Sequence, residues 1–578
     1  MLDEFISLSQ RGDALWISDV RRAFAAEPDA YRAVIRLECL DGTLRDYSCP
    51  LPHWENAAGR DFLAEYLTAR IFNILSCFSG RALHVYLDLS AEEPRRLAED
   101  CLATFTATPG LKKVLNIARR LCGSMGLPPF GMDVRDINDY APAPPREAPA
   151  SGVSLNERLL AAIGAGGRGA YCGMDVGGTD IKLAAALDGR LLAVKEYDWN
   201  PAASPTADGI TEPMLMLARL MRACVIADSL PKDHSALAVL AAALRKDADD
   251  EEIRTAISAC EGAAAGLPLF DGLGLSFPDI VIGSRILGGE TPKTKAMREN
   301  PDVDYETEFA KLSHVSESLA ALCRPGVRVR IINDGPMAAF SAAAELAADG
   351  ADGAELTHGV VAYALGTDLG SGWIDARGDI PEIPLELYDL LLDLGSAPWK
   401  RVPPEDIRSV RNENSGLPGV RRYLGQAATY RLAQELQPSL LDGLTEESDG
   451  VIRIKTAPQD MRKPALERLM TAAADGNEAA REIFRRIGSN LAALTEEMEY
   501  LLSTGTDSRY IFGRFAKIPG CFTLIREGFG SVLPGMKLIA ADDGLARSGL
   551  MRQLARLEGV TVAQFAQAVS AIYYSCMN

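Results

Sequence analysis

The chain is poor in histidine and in organised cysteine. Its 578 residues include five histidines, His53, His84, His234, His314 and His358, dispersed along the chain and never at metal-ligand spacing. Its 11 cysteines are scattered, with no CxxC pair and no His/Cys cluster. That excludes a standard structural zinc site, so no zinc is expected, and it fits reduced thiols in a cytosolic protein. There is no G-x-x-x-x-G-K-[S/T] and hence no P-loop, and no G-x-S-x-G nucleophile elbow to support a serine hydrolase. Apolar runs such as Ala236–Leu244 are too short to cross a bilayer, which takes ~20 residues, so no membrane partner is expected. The start, Met-Leu-Asp-Glu-Phe, lacks the basic and apolar regions of a signal peptide, and a cytoplasmic location is expected. An excess of basic charge is missing too. With 60 Lys and Arg against 79 Asp and Glu, the net charge of −19 argues against nucleic acid or an anionic membrane surface.

What is present is a long globular chain. Hydrophobic residues make up 47% and charged residues 24%, and this length exceeds what one core serves, so about two to four domains are expected. Residues 1–140 read as an N-terminal α+β domain of unknown role. Ala33–Leu40 and Thr43–Leu51 alternate around Asp41-Gly42 as a β-hairpin. Arg60–Cys77 and Leu111–Met125 have helical periodicity, and Leu83–Leu89 is strand-like. Residues 141–168, rich in Pro, Ala and Gly, read as a linker. Within them Gly164-Ala-Gly-Gly-Arg-Gly169 matches G-x-G-x-x-G, but a helix-like segment precedes it and a strand follows, the reverse of the dinucleotide fingerprint, so it reads as a loop.

Beyond the linker, Tyr171–Val176, Ile181–Leu187 and Leu191–Tyr197 read as three consecutive strands. A long helical region runs from about Glu212 to Ala264. Strands follow at Gly272–Phe277, Val327–Ile332 and Gly359–Leu365, with a helix at Met337–Ala348. From about Pro403 the pattern is mostly helical, with one strand at Arg509–Arg514. Strands followed by helix-and-strand units, given twice, imply two related α/β lobes.

The most informative stretch is Asp175-Val-Gly177-Gly178-Thr179 with Lys182. Glycines let backbone N–H groups crowd against a phosphate, and a carboxylate beside them can hold a hydrated Mg²⁺. Gly366-Thr367-Asp368-Leu369-Gly370-Ser-Gly372 is a second strand–glycine turn–strand of the same kind. Two such turns can clamp opposite sides of a triphosphate.

These motifs resemble the sugar-kinase branch of the actin/hexokinase/heat-shock ATPase superfamily, most of all the ROK (repressor, open reading frame, kinase) and hexokinase families. The resemblance covers about residues 170–560. It implies a two-lobed actin-like (ribonuclease H-like) α/β fold, with residues 169–350 as first lobe and 351–578 as second, the final helix free to return to the first. It implies ATP and Mg²⁺ as cofactors, with Asp175 at the metal and Asp175, Gly177, Gly178, Thr179, Lys182, Gly366, Thr367, Asp368 and Gly370 at the phosphates. Gly513, in Tyr510-Ile-Phe-Gly513, resembles the turn beside adenosine, and Leu538–Gly544 the terminal acidic turn. Asn333-Asp334 at a strand end implies Asp334 as general base toward a sugar hydroxyl; read from its residues alone, the pair also suits an Asx cap on the following helix. Ser276-Phe277-Pro278, followed by Thr294-Lys295, resembles the hexokinase sugar loop, and with Asn333 these residues are expected to hold the substrate.

The chain departs from that pattern in two places. Asp368 stands where the family has Gly, and a carboxylate there repels phosphates unless it points away or shares the Mg²⁺. The Glu-x-Gly-His and Cys-rich zinc loop of ROK kinases are replaced by Pro381-Glu382-Ile-Pro-Leu-Glu386, whose Glu382 and Glu386 are the remaining candidates for sugar contact. The expected activity is therefore ATP-dependent phosphorylation of a sugar or polyol hydroxyl. A non-catalytic sugar-sensing regulator and an actin-like ATPase are the alternatives. The oligomeric state, a homodimer included, stays open.

Overall fold

The computed structural model describes residues 1–144, 153–289, 292–350, 354–413, 415–516, 518–541 and 546–577. Most of the Pro-rich part of the expected linker, much of the acidic turn at 542–544, and Glu290-Thr291 of the sugar loop lie outside them. Among the described residues no helix is long and apolar enough to cross a membrane.

Among the described residues seventeen strands run in chain order. They are β1 (Ala33–Glu38), β2 (Leu44–Ser48), β3 (Ala82–Leu87), β4 (Gly131–Asp136), β5 (Ala170–Val176), β6 (Asp180–Leu187), β7 (Arg190–Asp198), β8 (Gly272–Phe277), β9 (Val281–Ile282), β10 (Arg285–Ile286), β11 (Arg330–Asn333), β12 (Val360–Leu365), β13 (Leu369–Ile374), β14 (Thr445–Ser448), β15 (Val451–Ile454), β16 (Ser508–Phe512) and β17 (Lys537–Ala540). The chain divides into two compact units, and it crosses between them more than once. One unit comprises residues 1–149, 364–370 and 384–540. The other comprises 150–363, 371–383 and 541–578.

In the first unit β2-β1-β3-β4 form a sheet, antiparallel except for the parallel β3–β4 pair. The long helix Ala57–Phe78 begins where the Asn56 side chain accepts the Gly59 N–H at 2.8 Å, and from Phe62 onward it is almost entirely buried. It carries two polar side chains into the core. Arg70 is fully buried; it donates to Tyr66 Oη at 2.6 Å and to Ser48 O at 3.1 Å and lies over the Tyr500 ring. Asn73 exchanges hydrogen bonds with the backbone of Leu391 at 2.8 and 3.0 Å and donates to Glu497 Oε1 at 3.2 Å. Glu497, on the helix Glu478–Leu502, also takes an ion pair from Arg21. These bonds join residues 1–149 to residues 384–540 in a single core. The reason lies in the cost of isolated buried charge: each polar group entering this core requires a partner that another segment supplies.

In the second unit β11-β8-β5-β6-β7 form one sheet. β5, β8 and β11 are mutually parallel, and β5-β6-β7 is an antiparallel meander. β5 and β8 are apolar on both faces because both faces are covered. Cys172, Met174 and Leu275 pack in one core with Leu217 and Met221 of the helix Asp208–Asp228. On β5 Gly173 alternates with Cys172 and Met174, and on β8 Gly274 alternates with Leu273 and Leu275. A Cβ at either glycine would come within 1.9 Å of Ala568 O or Ala571 O, so the C-terminal helix Val562–Ser575 lies directly on the strands.

Two expectations for this unit needed revision. The helical region Glu212–Ala264 is three helices, Asp208–Asp228, Ser235–Ala243 and Asp250–Ala263. Pro231 interrupts the first break, and an Asp249/Glu252 capping box starts the last helix. Part of the expected linker is the helix Leu155–Gly166, set by a Ser154/Glu157 capping box.

Replacing Glu497 by Ala leaves the buried Arg21 without its carboxylate and Asn73 with its Leu391 bonds alone. The expected loss is about 3–5 kcal/mol, read as a lower urea midpoint for unfolding of the first unit.

Candidate functional site

Parallel strands offer ligands their carboxyl ends, where backbone and side chains open toward solvent. In the second unit three such ends lie side by side. Asp175 on β5 is level with Ser276 on β8, and Asn333 on β11 is level with Phe277. Asp334 follows as the first residue of the helix Asp334–Ala348. The register of one small sheet therefore gathers four polar side chains that are far apart in sequence.

The glycine turn after β5 is held by its neighbours. Gly177 donates its N–H to Asp180 O at 2.7 Å. The Trp199 indole donates to Gly177 O at 3.1 Å, and its backbone N–H to Thr179 O at 3.0 Å. Lys182 is ion-paired with Asp180. The cation that approaches the turn from outside is Lys293. Its Cε would stand 3.6 Å from a Cβ at Gly178, and its Nζ donates to Pro278 O at 3.3 Å.

Charge in this pocket is finely opposed. Burial pushes the Asp175 carboxyl up to about 6, and the Asp334 and Asp180 carboxylates push the same way. Lys182 and a hydrogen bond from Ser276 work against them. Burial also raises Asp334, against the nearby Lys293 ammonium and the Gly335 N–H. Ser276 Oγ, fully buried, also stands 3.2 Å from Gln567 Oε1 on the C-terminal helix. A serine has one proton to donate; when it goes to Asp175, Gln567 must turn its amide NH₂ toward Ser276.

Asn333 caps the helix, its Oδ1 accepting the Gly335 N–H at 2.9 Å while its Nδ2 donates to Asp279 O at 2.9 Å. It acts here as a cap and as a brace for the segment that starts at Asp279. Asp279 holds that loop from within, its carboxylate accepting the N–H groups of Ile280 at 2.7 Å and Gly289 at 3.1 Å. Where β13 crosses the start of the helix, Gly372 and Gly335 pack backbone on backbone. A Cβ at Gly372 would lie 2.0 Å from Gly335 O, so neither position has room for a side chain.

The remaining candidates are less alike. Phe277 is core. Thr294 is buried with its hydroxyl 3.2 Å from Tyr305 Oη and accepting from Arg298 at 2.7 Å, which makes it a loop brace. Lys295 is exposed at the start of a short helix. Glu382 is exposed and accepts the Gly283 N–H at 3.0 Å. Gly366, Thr367, Asp368, Gly370, Glu386 and Gly513 belong to the first unit. There a Cβ at Gly513 would meet Leu365 O at 2.3 Å, Asp368 is ion-paired with Arg421, and Glu386 bonds the backbone of Ser76. Sequence reading missed Lys293, Asp279, Gln567 and Arg421. Lys293 had a visible signal, since Pro-Lys-Thr-Lys offers two lysines, and only the fold chooses between them.

The residues fit a hydrated Mg²⁺ held jointly with phosphates. Asp175 is a carboxylate whose ionised form is disfavoured by burial and by two other acids, which is the condition a divalent cation relieves. Among the described residues no group of three or more His, Cys, Asp or Glu side chains forms a metal cage.

No family model matches the chain, and no curated protein matches it. Solved structures do. A ROK family glucokinase from Streptomyces griseus, in complex with glucose and AMPPNP, is 18% identical over 67% of this chain and 98% of its own, with a TM-score of 0.37. ROK hexokinase from Thermus thermophilus is 16% identical over 69% and 98%, TM-score 0.35. A glucokinase from Balamuthia mandrillaris, in complex with glucose, is 12% identical over 69% and 97%, TM-score 0.39.

Asp175→Asn removes a carboxylate that the fold holds at a cost. The free protein is expected to gain roughly 1–3 kcal/mol at pH 7.5, allowing for partial solvent exposure. The folded carboxyl binds its proton more tightly than the unfolded one, so the penalty is complete above pH about 6 and fades toward the ordinary value of 3.8. Urea unfolding of both proteins at pH 7.5 and pH 4.5 measures this, with the gain shrinking at the lower pH.

Proposed function

We propose that the chain is an ATP-dependent kinase for a hydroxyl of a sugar or sugar-like polyol, with Asp334 as general base. The observation that carries this reading is the placement of Asp334. It is a carboxylate raised by burial, at the carboxyl end of a parallel strand, and it lies within the electrostatic reach of Asp175 and Lys293 beside a glycine turn. The solved sugar kinases and the motif resemblance agree with it and are not its basis.

Each residue has a task in phosphoryl transfer. The transition state is loose, so positioning and charge neutralisation supply most of the acceleration. The N–H groups of Gly178 and Thr179 hold phosphate oxygens, and Lys293 offsets the charge of the group in transit. Asp175 would hold a Mg²⁺ ion, which would supply neutralisation of the phosphate charge. Asp334 takes the proton of the substrate hydroxyl as that oxygen bonds to the γ-phosphorus, and the β–γ bridging oxygen leaves with ADP. A raised carboxyl suits a base working near neutrality, because its conjugate acid is not too strong to form. Asp279, Asn333 and Thr294 hold the sugar loop, and the Pro278–Lys293 bond fixes one ammonium at its rim.

The direct test is a panel of sugars and polyols assayed for ADP release, with the phosphorylated product identified by mass. Product establishes a kinase. ADP without product points to an ATPase, and sugar binding without ADP to a sensor. In the active case Asp334→Asn is expected to lower kcat by about 10³-fold or more while Mg·ATP still binds in calorimetry, and retained activity overturns its role as base. The base works only when ionised, so kcat/KM is expected to fall on the acid side. Its midpoint should lie above the ordinary aspartate range, because burial raises the Asp334 carboxyl.

A further inference from the structure

The Gly366–Gly370 turn carries a carboxylate, Asp368, where a phosphate would be bound. Its local surroundings are acidic: Glu413 and Asp389 both act on it electrostatically, and burial raises it. Asp389 is satisfied elsewhere, by Lys113 at 2.8 Å and the Asn412 amide at 2.9 Å. One cation answers Asp368. Arg421, largely buried in the short 3₁₀ turn Val420–Arg422, pairs with it through Nε, and Arg421 Nη1 stands 3.8 Å from Glu413, beyond hydrogen-bond reach.

The segment bearing Arg421 is built onto the turn. Val420 donates its N–H to Leu390 O at 3.0 Å. The helix Gly425–Leu436 begins against the turn, with Gln426 N–H donating to Gly366 O at 3.2 Å and a Cβ at Gly425 falling 2.8 Å from Thr367 O. The guanidinium is thus fixed to the same backbone that would cradle a phosphate, and a carboxylate occupies it. A guanidinium presents five donors in a planar fork that fits phosphate as well as carboxylate, and a doubly charged phosphate competes strongly with a single carboxylate.

We propose that Arg421 is a phosphate-binding residue of this turn, and that Asp368 is an internal placeholder which holds it in position until the terminal phosphates of a nucleoside di- or triphosphate displace the carboxylate. This rests on the kinase reading above. Asp368 then sets affinity by competition: it neutralises the turn when no nucleotide is present and weakens binding by the strength of its own pair.

The test is a double-mutant cycle read by calorimetry with Mg·ATP, Mg·ADP and AMP on the full chain: wild type, Asp368→Asn, Arg421→Gln and the double variant. Asp368→Asn is expected to tighten ATP and ADP by about 3- to 10-fold. Arg421→Gln is expected to weaken both by about 10-fold or more, in the wild-type and in the Asp368→Asn background alike, and to leave AMP unchanged. If Arg421→Gln has no effect in the Asp368→Asn background, Arg421 is only a counterion and the proposal falls while the kinase reading stands. Wild type that binds none of the three nucleotides overturns both. Arg421→Lys keeps the ion pair without the fork; with an unchanged urea midpoint, it should still bind ATP more weakly than wild type, and wild-type affinity in it counts against the proposal.

Discussion

Everything in the candidate site depends on two carboxylates, Asp175 and Asp334, held within each other's field where solvent cannot fully separate them. The parallel register of β5, β8 and β11 imposes this, since the strand ends carry the two acids wherever the sheet forms. Burial raises both carboxyls, and the Asp334 carboxylate adds to the rise at Asp175. Lys182 and Lys293 offset part of the repulsion, but Lys182 is shared with Asp180 and Lys293 with Pro278 O. The free protein therefore keeps an electrostatic deficit. A bound cation would relieve it, which is how a site can be costly to fold and still be suited to a charged ligand.

Secondary structure was largely legible because periodicity and turn chemistry are local. β8 occupies the stretch its apolar run outlined, and β1–β2 turn at Asp41-Gly42. Where the reading failed, a local signal had been given too little weight. Asp449-Gly450, both at positive φ, closes the β14–β15 hairpin in a region read as helical, and it is the same dipeptide signal. Capping boxes at Ser154 and Asp249 mark helix starts that composition alone obscured.

The site was legible by residue type and only partly by residue number. Asp175, Ser276, Asn333 and Asp334 sit at strand ends, and strand ends can be read from a run of apolar residues stopping at a polar one. Lys293 against Lys295 and Thr294 could not be read, because which side of a short irregular loop faces the turn is decided by Asp279 and Tyr305, partners that sequence does not announce. The same applies to residues 1–140. Their elements were visible, but Arg70, Asn73 and Arg21 show no sign in sequence of the helix Glu478–Leu502 that satisfies them.

The final helix, seated on Gly173 and Gly274, has a bearing on how the protein is made. Its strands leave the ribosome hundreds of residues before it does, and at a synthesis rate of ~5–20 residues per second the interval is roughly 20–80 s. Throughout that time one face of β5 and β8 lacks its cover, and the first 149 residues wait in the same way for 384–540. Neither unit can complete its core in the order in which it is synthesised. The nascent chain thus suits chaperones that shield bare sheet faces, and this face of β5 and β8 is covered only once Val562–Ser575 docks.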